Sequence, residues 1–217
     1  MQISRDGPVT PYAFILQQYC NFGDLSKYMT MVQPRTLSLK EIYLFFKDIT
    51  SGLAYLHSSN CLHQNLKPNK VLLHKETEET PIRALLSGFG DILIGKNTQS
   101  RLSDWKVQSI GDYAPELLRR DEFGRYGYYT AKCDMFGLGL ILYFMRFGKL
   151  PYESVDVTRQ KIISWSGFQD IPGERQEEPD LPEDIVHLLK RLLAVDPADR
   201  PTAEEVLAML NTPSRLD

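Results

Sequence analysis

The feature that most constrains the fold is the stretch Met135–Met145, in which almost every residue is apolar. It reads MFGLGLILYFM, and a helix that is apolar on all sides is stable only when other elements surround it. The stretch is also far shorter than the roughly 20 residues that a bilayer-spanning helix needs. The sequence therefore predicts a buried helix at the centre of a helical domain.

Two capping-box patterns mark the beginnings of further helices. Ser38 with Glu41 precedes apolar residues at helical spacing and predicts a long amphipathic helix ending near Ser58. Thr202 with Glu205 predicts a last helix that continues through Leu210. Between them, a leucine-rich stretch behind Pro182 predicts one more helix.

Strand signals are short and few. The aromatic and aliphatic run Tyr12–Cys20 predicts a single strand, although nothing before it is a convincing pairing partner. Val71–Leu73 and Ala84–Leu86 predict a small hairpin. The segment Ser87–Tyr113 is rich in Gly, Ser, Asp and Lys with weak periodicity, and a long stretch of that kind inside a domain is usually functional.

Composition limits the classes of function. The chain has 217 residues with 42% hydrophobic content, which fits one globular domain. Its net charge of -3 gives no electrostatic reason to expect a nucleic acid or a membrane surface as partner. Cys20, Cys61 and Cys133 are odd in number and far apart, so neither a disulfide framework nor a zinc site is predicted. We expect a reducing, intracellular location, cytoplasmic or nuclear.

Five short motifs follow one another along the chain: His63–Lys70 (HQNLKPNK), Gly88–Gly90 (GFG), Ala114–Glu116 (APE), Asp134–Gly139 (DMFGLG) and Asp196–Pro201 (DPADRP). In order and spacing they resemble the motifs H-R-D-L-K-P-x-N, D-F-G, A-P-E, D-x-W-S-x-G and D-P-x-x-R-P of eukaryotic protein kinases. Ordered motifs in matching contexts support one another. The resemblance therefore identifies the chain as a member of the kinase superfamily, of serine/threonine type.

The resemblance covers residues 12–210 and corresponds to the helical C-terminal lobe of a kinase. It implies a mainly α structure, an α+β protein-kinase-like fold with short β hairpins and with the N-terminal lobe mostly absent. Residues 1–11 are expected to be a remnant of the small lobe and residues 211–217 a tail. No Gly-rich loop or pairing lysine precedes Tyr12, and the sequence leaves open whether a small lobe lies upstream or the lobe stands alone.

The resemblance puts unusual residues at the positions of phosphoryl transfer. Asn65 stands where the family has the proton-accepting aspartate, and an amide cannot act as a carboxylate base. Lys70 stands at the metal-binding asparagine and Gly88 at the metal-binding aspartate. Since magnesium needs oxygen ligands, the resemblance predicts that no metal is bound.

Other positions bear on nucleotide binding. Lys67 matches the catalytic-loop lysine of the family. Gln18 and Cys20 would belong to the hinge that meets adenine, and Leu72 would lie on the adenine side. Lys70 has two open roles, pairing with a nucleotide phosphate or facing solvent. We expect no cofactor, or ATP bound weakly and without metal.

Positions that support the fold of the family match better. Glu116 and Arg200 correspond to a buried ion pair that ties the activation segment to the lobe. Asp134 corresponds to the residue that holds the catalytic-loop backbone. His63 and Phe89 correspond to two members of an internal hydrophobic spine.

The hypothesis that follows is a catalytically inactive pseudokinase that acts by protein binding or allosteric scaffolding. The alternative is a serine/threonine protein kinase with an unconventional site, and a third possibility is a chain without function as it stands. We expect a protein partner, no nucleic acid and no membrane, with the oligomeric state open.

Overall fold

The computed structural model describes residues 14–31, 37–95, 100–102, 110–151, 162 and 182–211. Six α-helices in this part of the chain are α1 (Leu25–Met31), α2 (Leu39–Ser58), α3 (Pro115–Leu118), α4 (Ala131–Phe147), α5 (Glu183–Leu192) and α6 (Ala203–Asn211). Its strands are β1 (Cys61–Leu62), β2 (Val71–His74), β3 (Arg83–Leu86) and β4 (Leu93–Ile94). The architecture is the helix-rich, kinase-like one that the resemblance implies, with small antiparallel sheets.

Helix α4 is the centre of the fold, as its all-apolar sequence predicts. Every residue from Cys133 to Tyr143 is buried, and α4 packs against α2 and α5. Gly137 permits a close approach, because a Cβ there would lie 2.9 Å from the carbonyl oxygen of Leu66. The helix therefore lies directly against the segment that resembles the catalytic loop.

The predicted capping boxes are confirmed. Glu41 N–H donates to the Ser38 hydroxyl at 3.3 Å, and the Glu41 carboxylate accepts the Ser38 N–H at 3.0 Å. At α6 the Thr202 N–H donates to the Glu205 carboxylate at 2.7 Å. These local bonds satisfy helix N-terminal donors that would otherwise lack partners. Helix α2 ends at Ser58, and α5 begins behind Pro182, both as expected.

Two small antiparallel sheets flank the catalytic-loop segment. The predicted hairpin is confirmed, with β2 and β3 in register from Val71 opposite Leu86 to His74 opposite Arg83. The second sheet, β1 with β4, escapes the sequence analysis because each strand has two residues. Helix α1 was likewise not predicted.

The predicted strand at Tyr12–Cys20 is wrong for the residues that the structure describes. Residues 14–20 lie outside any helix or strand, and Phe14 and Leu16 are 90% and 98% exposed. A strand needs a neighbour for its backbone hydrogen bonds, and none of the described residues pairs with this segment. Tyr12, Ala13, the expected remnant 1–11 and residues 212–217 lie outside the described part.

None of the helices in the described ranges is both long and apolar enough to cross a membrane.

Candidate functional site

The backbone of the catalytic-loop segment is fixed by one buried carboxylate from α4. Asp134 accepts the N–H of His63 at 2.8 Å and of Gln64 at 2.9 Å, and it contacts Nε2 of His57 at 3.0 Å. Asp134 is 3% exposed, and Gln64 adopts a positive φ of 63°. A buried carboxylate with several N–H donors holds a backbone in a conformation that it would not choose alone. Asp134 thus holds the backbone of the catalytic-loop segment at His63 and Gln64, the contact that the resemblance implies for this residue.

His63 lies below the loop and is fully buried. Its Nε2 contacts the carbonyl oxygen of Ser87 at 2.8 Å, and its Nδ1 accepts the N–H of Asn65 at 3.3 Å. These partners require the neutral tautomer with the proton on Nε2, because a carbonyl only accepts. Burial lowers the pKa of His63, and the Lys70 charge acts in the same direction. The ring packs on Phe89 with centroids 5.7 Å apart, so the two expected spine residues are in contact.

Asn65 uses its amide as a donor. Its Nδ2 donates to the Asp91 carboxylate at 2.9 Å, which joins the catalytic-loop segment to the residue that follows the Gly88–Gly90 motif. Asp91 was not singled out from the sequence. Its only signal there is its place directly behind the motif, and the contact depends on how the chain folds back.

Lys67 pairs with a second residue that the sequence analysis missed. Its ammonium lies 3.6 Å from the Asp112 carboxylate, in the turn that precedes α3. Asn65, Lys67, Asp91 and Asp112 line one cavity of about 170 Å³, together with Gln64 and Tyr129. The amide Nε2 of Gln64 is buried and has no hydrogen-bond partner among the described residues. The cavity is therefore lined by polar side chains, and two contacts already form between them, Asn65 with Asp91 and Lys67 with Asp112.

The side chain of Lys70 covers Gly88. A Cβ at position 88 would lie 2.6 Å from Cδ of Lys70 and 3.2 Å from its Cγ, so a side chain there would require the Lys70 stem to move. Gly88 also has a φ of +81°, in the left-handed region that favours glycine. Lys70 is half-buried, with its stem packed on Gly88, and both roles left open for its ammonium group, pairing with a nucleotide phosphate and facing solvent, remain predictions.

The described residues contain no group of three or more His, Cys, Asp and Glu side chains arranged to hold a metal ion. The side chains in this segment that are candidates for contact with a cofactor are Lys67 and Lys70, through their ammonium groups. Both belong to the catalytic-loop segment, and both are cationic, which suits a phosphate better than a metal.

Glu116 and Arg200 form a bidentate ion pair. Nη1 of Arg200 donates to Oε1 of Glu116 at 2.7 Å, and Nη2 donates to Oε2 at 2.9 Å. Arg200 is 1% exposed and also donates to the carbonyl oxygens of Ala194 at 2.8 Å and Lys132 at 2.9 Å. The guanidinium thus ties α3 to α4 and to the turn before α6.

The adenine-side positions are not brought together as one site. Gln18 is exposed in the irregular segment 14–20, and Cys20 is half-buried at its end. Leu72 lies in β2, bridged by Asp24, and is half-buried. The chain at 22–24 does run beside β2, since Phe22 N–H donates to the Leu73 carbonyl at 3.1 Å.

Comparison with known proteins gives one family. Residues 8–210 match the family model of the protein kinase domain. The chain is 30% identical over 93% of its length to the "Probable serine/threonine-protein kinase iksA" of Dictyostelium discoideum, covering 23% of that protein. It is 26% identical to the "Serine/threonine/tyrosine-protein kinase HT1" of Arabidopsis thaliana and 28% identical to the "Serine/threonine-protein kinase ULK3" of Xenopus laevis, over 92% of the chain in both cases. It covers 47% and 39% of those two relatives, so it spans less than half the length of each.

Proposed function

The chain belongs to the protein kinase domain family, and from the residues at its catalytic and metal positions we propose that it is a pseudokinase. In this proposal it does not transfer phosphoryl groups and acts through protein binding or allosteric scaffolding. The described residues correspond to the helical C-terminal lobe. The activity and partners of the whole protein are part of the same proposal.

The observation that carries the proposal is the contact between Lys70 and Gly88. The lysine stem fills the space in which a carboxylate at position 88 would begin. Magnesium needs oxygen ligands, and these two positions supply a cation and a hydrogen atom. Two like unit charges about 4 Å apart repel by about 4 kcal/mol at an effective dielectric of about 20, and the double charge of magnesium doubles that cost. The arrangement therefore disfavours a divalent ion both sterically and electrostatically.

The role of Asn65 supports the same conclusion. Its amide nitrogen donates to Asp91 at 2.9 Å, so its side chain is oriented by a carboxylate. An amide does not accept a proton from a substrate hydroxyl near neutral pH. The general base that the family uses has no equivalent at this position.

The contacts that hold the catalytic-loop segment in place are present, although the residues at the positions of phosphoryl transfer are altered. Asp134 holds the catalytic-loop backbone, and Arg200 holds Glu116. A fold that keeps such buried polar contacts keeps a defined surface, which is what a binding protein needs. This combination favours binding over decay of the chain.

A phosphoryl-transfer assay with radiolabelled ATP and mixed serine, threonine and tyrosine peptides tests the proposal, with magnesium and then manganese. We expect no incorporation above a control without protein. A thermal-shift titration with ATP is run in parallel, with and without magnesium, and magnesium is expected to add nothing. Incorporation that disappears in the Lys67→Ala/Lys70→Ala variant would contradict the proposal.

A second candidate function is an unconventional kinase, and a specific observation favours it. Two carboxylates, Asp91 and Asp112, line the same cavity as Asn65 and Lys67. Either one is a possible base in place of Asn65. Loss of measured incorporation in Asp91→Asn or Asp112→Asn, with retention in the exposed-site control Asp199→Asn, would support this candidate.

Metal-free nucleotide binding and cellular location remain proposals. In this proposal the Lys70 ammonium contacts a nucleotide phosphate, and ATP binding without magnesium is the expected result. All three cysteines, Cys20, Cys61 and Cys133, are free thiols, which is in keeping with the intracellular location we propose.

A further inference from the structure

The loop between α3 and α4, residues Arg119–Thr130, has a defined conformation set by its own hydrogen bonds. Oδ1 of Asp121 accepts the N–H of Phe123 at 3.0 Å and of Arg125 at 2.9 Å. Gly124 N–H donates to the Asp121 carbonyl at 2.9 Å, and Gly124 has a φ of +73° that suits glycine. The tip of this α3–α4 loop is therefore a tight turn.

The base of the α3–α4 loop is fixed to the fold on two sides. A Cβ at Gly127 would lie 2.3 Å from the Glu116 carbonyl oxygen, so the two backbones are in direct contact. Gly127 N–H donates to Leu117 O, and its own carbonyl accepts the Leu102 N–H, both at 3.2 Å. A surface held by backbone on both sides loses little conformational entropy when a partner binds.

Three guanidinium groups stack on aromatic rings along this surface. The distances from Cζ to the ring centroid are 3.8 Å for Arg101 on Tyr128, 4.4 Å for Arg120 on Tyr126 and 4.7 Å for Arg125 on Phe123. Stacking orients each planar guanidinium, and the fork of donors on an arginine matches the two oxygens of a carboxylate. Asp121 contacts Arg125 at 3.0 Å and Arg101 at 3.3 Å, which uses only part of the five donors on each.

Aromatic and arginine side chains of this surface are exposed to solvent. Phe123 is 71% exposed and Tyr128 is 42% exposed, and the Arg125 side chain is 55% exposed. Aromatic residues and arginine are the types most enriched at the centres of protein interfaces. Phe123 therefore presents an exposed ring, on a turn of defined conformation, on which an apolar side chain of a partner can pack.

The charge of the surface indicates the chemistry of the partner. Arg101 and the loop residues 119–130 together contain four arginines, Arg101, Arg119, Arg120 and Arg125, and two acidic residues, Asp121 and Glu122, which is an excess of two positive charges. The whole chain carries -3, so this is a local reversal of sign. A nucleic acid suits it less well, because two excess charges are few for a polyanion that the rest of the chain repels.

We propose that the α3–α4 loop, with Arg101, is a docking surface for an acidic peptide segment of a partner protein. Carboxylates of the segment pair with the exposed edges of the guanidiniums, and one apolar side chain packs on Phe123. This inference rests on the protein-binding role proposed above and names the chemistry of the partner.

Fluorescence anisotropy of the full chain with labelled peptides tests the inference. The first probe is a twelve-residue peptide of glutamate and alanine with one central leucine, and the second replaces every glutamate with lysine. We expect saturable binding of the acidic probe only, weakened at least fivefold between 50 and 300 mM salt, because exposed charge pairs are screened. Arg119→Glu/Arg125→Glu should lower the affinity at least tenfold, and Phe123→Ala should lower it about threefold.

The control is Lys40→Glu/Lys47→Glu, which makes the same change of charge at exposed positions on α2. It should bind the acidic probe within twofold of the unaltered chain. Equal loss in both double variants, equal binding of both probes, no binding of the acidic probe, or displacement by an oligothymidine of equal charge would overturn the inference. Circular dichroism checks folding, and Phe123→Ala provides the test if the arginine variant does not fold. The phosphoryl-transfer assay is independent, so a chain that is inactive but does not bind the acidic probe would refute only this docking surface.

Discussion

Lys70 and Gly88 occupy one volume: the lysine methylenes lie where a side chain at position 88 would have to begin, 2.6 Å from the position of its Cβ. These two residues are 18 positions apart in the sequence and both depart from the kinase motifs. Their contact means that a side chain at position 88 can be accommodated only if the Lys70 stem moves or is replaced by a shorter one.

We expect Gly88→Asp to destabilise the protein by about 1 to 3 kcal/mol, the range for a strained backbone site and for overpacking. It should not bring magnesium binding. Lys70→Asn/Gly88→Asp removes the clash and restores two oxygen ligands, so its free energy of unfolding should recover by more than half. Urea unfolding and a thermal-shift titration with magnesium and ATP measure both effects. A single variant as stable as the unaltered chain would contradict the contact.

Removal of the Asp134 carboxylate should destabilise the loop. Asp134→Ala leaves the buried N–H groups of His63 and Gln64 without an acceptor, and each such group costs about 1 to 3 kcal/mol. We expect a loss of about 3 kcal/mol in urea unfolding, and a smaller loss for Asp134→Asn, which keeps one acceptor oxygen. Asp199→Ala at an exposed position is the control and should change stability by less than about 0.5 kcal/mol.

Two bidentate arginine–carboxylate pairs within the described residues should differ in their effect on stability. Arg200→Met removes a buried guanidinium from its pair with Glu116 and should cost about 3 to 5 kcal/mol. Arg83→Met breaks the pair with Asp48, in which the Arg83 side chain is 60% exposed and the Asp48 side chain 8% exposed, and should cost less than Arg200→Met because the guanidinium that is lost is in solvent. A double-mutant cycle with Glu116→Gln should show strong coupling to Arg200. If Arg200→Met and Arg83→Met lowered the free energy of unfolding equally, burial of the guanidinium would not be what determines the contribution of the pair to stability.

His63 predicts a pH dependence of stability. Because burial lowers the pKa of His63 in the folded chain, the unfolded chain binds a proton more readily near the ordinary value of about 6.5. The stabilisation by neutral His63 is fully present above that pH and falls as the pH drops below it, by at most about 1.4 kcal/mol per pH unit. Urea unfolding between pH 5 and 8 should show a shallower slope in His63→Phe. The exposed-site control His187→Gln should keep the slope of the unaltered chain.

The sequence by itself determined the four longest helices, α2, α4, α5 and α6, the β2–β3 hairpin and the family. The beginning of a helix such as α2 can be predicted from the sequence because the two residues of its capping box, Ser38 and Glu41, are only three positions apart. The periodicity of apolar residues then predicts which face of the helix is buried. The identities of Asn65, Lys70 and Gly88 were also sufficient to question catalysis. The strand expected at Tyr12–Cys20 failed because apolar composition does not supply a pairing partner.

Only the tertiary structure decided which side chains meet. Asn65 contacts Asp91, Lys67 contacts Asp112, and Lys70 covers Gly88. Arg101 likewise stacks on Tyr128, a residue of the α3–α4 loop that lies far from it in the sequence. The physical reason is that such contacts join residues far apart in sequence, and the path of the chain between them is set by burial of the whole core around α4. No local pattern carries that information, so the chemistry of the cleft became visible only in the folded molecule.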